Sequence, residues 1–222
     1  YCLSGFAALS IRLDKKPATA GREPVLRSII SGLKYVKGEQ IIWGTLMVAI
    51  IIEFFGWTFH TSLIPSFARD VLGTDSAGLG VLMFAFGAGA LGASLIWAMV
   101  RNLRHIGKLM FAAALLWHIS ILAISTTESF YVSMAILVFI GMGFGSIQVF
   151  TLAALLRAAD AGYRGRVISL RSLAIYSFAI GSMSTGWLAV AWGPPMAARA
   201  IGIMGIILIL ILAMFTPKLR RL

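Results

Sequence analysis

The chain has 222 residues, 59% hydrophobic and 12% charged, with a mean hydropathy of +0.93. A soluble domain carries about twice that share of charge, so a water-soluble globular fold is excluded and an integral membrane protein is indicated. The lone cysteine, Cys2, excludes an internal disulfide and a cysteine-based zinc cluster.

In chain order, the opening stretch YCLSGFAALSI is apolar but too short to span a bilayer, and no basic segment precedes it. Residues 1–12 read as the end of a preceding transmembrane helix, which makes the chain part of something larger. Residues 13–40 form a basic connector, broken by Pro17, Gly21 and Pro24. After Pro24, the residues Leu26, Ile29, Ile30, Leu33 and Val36 recur at helical spacing, with Arg27, Lys34 and Lys37 off that face. This is either an amphipathic helix on the membrane surface or a connector with incidental periodicity. Six apolar runs follow, at 41–63, 78–100, 109–126, 130–156, 167–192 and 196–215. They compose a bundle over 41–216 with a tail at 217–222. Spans in lipid are helical because the backbone must satisfy its own hydrogen bonds. The expected fold is therefore an all-α six-transmembrane-helix bundle. Pro65 is expected to close the first span, and Gly193-Pro194-Pro195 to separate the last two.

Basic residues alternate with the loops. Seventeen of the 19 fall on one side of such a bundle, and only Arg69 and Arg199 on the other. The basic side reads as cytoplasmic, with both ends of the six-helix unit there. The net charge of +11 is then topology and contact with anionic lipid, not a nucleic-acid surface.

Catalytic signatures are missing. Residues 87–92, GAGALG, match the dinucleotide fingerprint but lie inside a span with no strand before them. His60, His105 and His118 lack metal-ligand spacing, so no metal, cofactor or enzyme chemistry is expected. Glu53 is different. It is the only acidic residue inside an apolar run, near the middle of Ile41–Leu63. That run can cross ~30 Å of hydrocarbon at ~1.5 Å per residue. A carboxylate at mid-membrane costs roughly 3 kcal/mol and by default marks a functional site. Trp57 and His60 follow at i+4 and i+7, on one helical stripe with Glu53. Either this stripe lines a cavity for an amphipathic or cationic solute, or a neutral Glu53 hydrogen-bonds a neighbouring helix. In the first case the carboxyl group can trade a proton for a cationic substrate. Gln148 either lines the same cavity or joins helices. Tyr176 and Ser177 are further cavity residues, His118 is expected to pack or to touch lipid, and Arg171 to snorkel to the cytoplasmic edge. Asp160 and Arg164 stand at i+4 with Arg166 beyond; they are either solvated charge or a salt-bridge latch.

The stretches LIPSFARDVLGTDSAGLGVLMFAFGAGALGA (63–93), FIGMGFGSIQVFTLAALL (139–156) and DAGYRGRVISL (160–170) resemble the C-terminal half of a major facilitator superfamily transporter. They are most similar to the drug:proton antiporter branch that includes bacterial siderophore and macrolide exporters. The resemblance implies a twelve-helix fold of two six-helix halves, with inverted three-helix repeats and residues 13–40 linking the halves. It implies alternating access in a bacterial cytoplasmic membrane, with small-molecule substrate, protons and an N-terminal six-helix half as partners. It also favours Glu53, Trp57, His60 and Gln148, because the first and fourth helices of each half line the central cavity. One departure stands out: VRNLRHIGKLM keeps Gly107 and Lys108 of a family loop motif but lacks its acidic residue.

Overall fold

The computed structural model describes residues 25–100 and 103–222; Cys2 and the expected helix end at 1–12 lie outside them. Among the described residues the protein is all-α, without a strand. Helix α1 is Val25–Gly38, where the sequence placed an amphipathic helix. Six helices long and apolar enough to cross a membrane follow: α2 (Gln40–Asp70), α3 (Ser76–Met99), α4 (Ile106–Ile124), α5 (Phe130–Ala158), α6 (Arg164–Trp192) and α7 (Pro194–Phe215). A short α8, Pro217–Arg221, ends the chain.

Boundaries follow local chemistry. The Asp75 carboxylate caps α3 by accepting from the Gly78 N–H at 2.9 Å. Gly193, at φ 81°, makes the turn into Pro194 at the start of α7. Pro65 does not close α2. The helix runs on to Asp70, because Pro65 sits in the first turn of the piece Ile64–Asp70, where its missing N–H is tolerated.

Helix α5 is central, with α3 and α4 packed along it and α7 against α4. Side chains built on Gly89 or Gly141 would land on the Val138 and Phe86 carbonyls of the facing helix. Backbone-to-backbone packing of this kind is how helices associate in lipid, where burial of apolar area supplies little drive. Trp117, Phe59, Phe67 and Phe150 fill the main core, and a smaller cluster of Val36, Ile42, Leu46 and Val167 ties α1 to α2 and α6. The outer faces carry Phe84, Met183, Val190 and Met214, each at least 74% exposed. An apolar surface of this extent fits acyl chains, not water.

The six helices alternate in direction. At the basic end, Gln40 Nε2 donates to the Phe215 carbonyl (3.3 Å), and Arg157 Nη1 to that of Leu103 (3.0 Å). At the other end, Arg199 Nη2 donates to the Ser125 carbonyl (3.3 Å).

Candidate functional site

Glu53 lies where α2 leaves ordinary winding. Residues Ile52–Trp57 and Phe59–Leu63 form π-helix, a wide turn that recurs at functional positions. Such turns loosen the carbonyl ladder, and threonine hydroxyls take up the freed acceptors. Thr58 Oγ1 donates to the carbonyls of Phe54 (3.0 Å) and Phe55 (3.2 Å), and Thr61 Oγ1 to that of Trp57 (3.2 Å). Pro65 offers no N–H back into this stretch, which is a local reason for the winding before it.

Trp57 and His60 enter an aromatic cluster with α3 and α5. Trp57 stacks on His60 (ring centroids 4.9 Å) and on Phe144 (5.1 Å), and His60 lies 4.1 Å from Phe86. Among the described residues, Arg171 on α6 is the charged group whose field reaches Glu53.

Arg171 corrects the snorkelling expectation. Its Nη2 donates to Gln148 Oε1 on α5, inside the bundle, while its Nε is enclosed without a partner. Gln148 therefore acts as a tether between helices. Glu53 and Arg171 do not close on each other: no N···O distance between them is within 4.0 Å. Glu53 is 5% exposed and makes no hydrogen bond among the described residues. Its carboxyl oxygens are nonetheless not among the fully enclosed unpaired atoms, so the surface it keeps includes the head group.

Polar contacts hold α6 to α2 around this point. Ser177 Oγ donates to the Ile50 carbonyl (3.4 Å), Thr61 and Ser182 hydroxyls meet at 3.1 Å, and Thr185 Oγ1 donates to Thr58 Oγ1 (3.4 Å). Gly181 has no side chain, which admits the Phe54 carbonyl. Helix α6 itself breaks between Arg164–Ile175 and Ser177–Trp192.

The remaining residues singled out in the sequence lie elsewhere. Tyr176 sits at the break in α6, 68% exposed, and lines a groove with Met47, Ile50 and Ser177. His118 packs, as expected: it is fully buried, its Nδ1 2.8 Å from the Ala114 carbonyl and its ring against Gly205. At the basic end, Asp160 and Arg164 form no side-chain ion pair among the described residues; the Arg164 N–H donates to the Asp160 carbonyl at 3.1 Å. Asp160 instead accepts from the Tyr35 hydroxyl at 3.1 Å and donates its N–H to the same oxygen at 3.1 Å. Tyr35 stacks on Tyr163 (4.1 Å), the Arg166 guanidinium lies 5.2 Å from the Tyr163 ring, and Arg164 Nε donates to the Ala159 carbonyl (3.3 Å). Tyr35 thereby joins α1 to the turn before α6. The sequence offered Tyr35 no signal beyond its place on the connector. For Arg171 the signal was indirect: a lone mid-membrane acid needs a cation from another helix.

No group of three metal-ligating side chains occurs among the described residues. Six helices long and apolar enough to cross a membrane, around an interior carboxylate, guanidinium and amide, form a multi-pass membrane bundle. The chain belongs to the transmembrane secretion effector family, whose model matches residues 2–220. That is a membrane transporter family of the major facilitator type, not an enzyme class. No curated protein matches the chain.

Proposed function

We propose that this bundle is the C-terminal half of a proton-coupled secondary transporter that expels small amphipathic, positively charged molecules by alternating access. It works with an N-terminal six-helix half in a bacterial cytoplasmic membrane, its basic end inside. The observation that carries this reading is Glu53: a carboxyl group in the depth of α2, without a hydrogen bond among the described residues and with its head group not fully enclosed. A proton and an ammonium group compete for such a carboxylate, and competition for one site is what antiport requires. Trp57, His60 and Gln148 supply the apolar and amide surroundings. Tyr176, exposed at the break in α6, lies on the path.

The test uses everted membrane vesicles that hold the complete protein. An imposed proton gradient should drive uptake of a fluorescent amphipathic amine such as dansylcadaverine. Glu53→Gln should lower that uptake at least roughly tenfold, as for loss of one ionic contact, with the protein still present in the membrane. Undiminished uptake by Glu53→Gln would remove the residue from the mechanism. Wild-type uptake that ignores a proton ionophore would make the protein an uncoupled facilitator.

A further inference from the structure

Glu53 and Arg171 attract each other without joining, and each keeps unused bonding capacity. Glu53 has no hydrogen-bond partner among the described residues, and the Arg171 Nε–H has none. Gln148 holds the guanidinium by Nη2 alone. The Nη1 group is bonded to nothing and is not enclosed. An isolated charge inside a bundle is costly until something completes it. A planar guanidinium with free N–H groups is shaped to receive a carboxylate, and a free carboxylate receives an ammonium. The aromatic cluster of Trp57, Phe86 and Phe144 begins one turn beyond Glu53 and offers apolar surface.

From this arrangement we infer that the cargo is a zwitterion with an apolar body. Its ammonium meets Glu53 and its carboxylate meets Arg171. The inference rests on the transport reading above and narrows the substrate from amphipathic cations to molecules with both charges. Proton exchange is preserved, because the ammonium and the proton still compete for Glu53 while Arg171 stays charged throughout. No other charged side chain interacts with Glu53 among the described residues. Gln148 comes from α5, and His60 and His118 are turned against Phe86 and Gly205.

Three probes with one fluorophore separate the contributions. Nε-dansyl-lysine carries both charges, dansylcadaverine lacks its carboxylate, and 6-(dansylamino)hexanoate lacks its amine. Binding is read as saturable fluorescence enhancement on the complete protein in detergent, with empty micelles subtracted. Nε-dansyl-lysine should bind roughly 10- to 100-fold tighter than either partner, the value of one charge-assisted contact. Arg171→Gln should reduce it to the level of dansylcadaverine, and Glu53→Gln to that of the hexanoate. Dansylcadaverine binding as tightly as the zwitterion overturns the inference. So does the absence of saturable zwitterion binding, or an Arg171→Gln protein that binds all three probes as before. The wild-type comparison decides the matter even if a variant fails to fold. Equal binding of amine and zwitterion leaves proton-driven uptake untouched. Zwitterion binding without any proton-driven flux removes the transport reading instead.

Discussion

At the scale of single residues, Gln148 carries more than its neutral side chain suggests. It is the one described hydrogen-bond acceptor for the Arg171 guanidinium, and hydrogen bonds to charged groups are worth about 1.5–3 kcal/mol. Gln148→Leu should therefore lower stability by about that amount, read as an earlier thermal transition in detergent. Gln148→Glu, which keeps an acceptor, should melt at or above wild type. Equal melting of Gln148→Leu and wild type would mean that the tether contributes nothing. Glu53 was legible because an acid in an apolar run stands out in any reading. Arg171 was not, because one turn inside the expected span of 167–192 an arginine reaches water as easily as it reaches inward. Only the position of α5 beside α6 decides between these directions.

At the scale of the helices, all six spans were legible, since hydrophobic length alone marks them. Their ends were less so. The first passes Pro65 and extends to Asp70, and the fifth contains a break at Tyr176 that no proline or glycine announces. Glycine-rich patterns told of close packing but not which glycines carry it. The structure separates them: a side chain at Gly141 would strike the Phe86 carbonyl, whereas at Gly87 it meets nothing within 4 Å. Gly141→Leu should force α3 and α5 apart and cost about 1–3 kcal/mol or more. Gly87→Leu should melt within about 0.5 kcal/mol of wild type, as surface changes do. Thermal unfolding of the two variants side by side checks this, and equal transitions would show that the α3–α5 approach is dispensable.

At the scale of the whole molecule, the distribution of charge sets an expectation about sidedness. The hydrogen bonds from Gln40, Arg157 and Asp160 gather the ends of α1, α2, α5 and α7 at the face that holds most of the basic residues. The α4–α5 turn at Thr127 and Ser129 lies at the opposite face, where Arg199 reaches Ser125. The rule that basic loops stay in the cytoplasm then predicts a labelling pattern. In a Cys2→Ser background, Ala161→Cys and Ser129→Cys each place one thiol at an exposed loop position. A membrane-impermeant maleimide should label Ser129→Cys in intact cells and leave Ala161→Cys unmodified. Everted vesicles should give the reverse. Both positions labelled from one side would break the six-span topology. A clean exchange of the two patterns would keep the topology and invert the bundle.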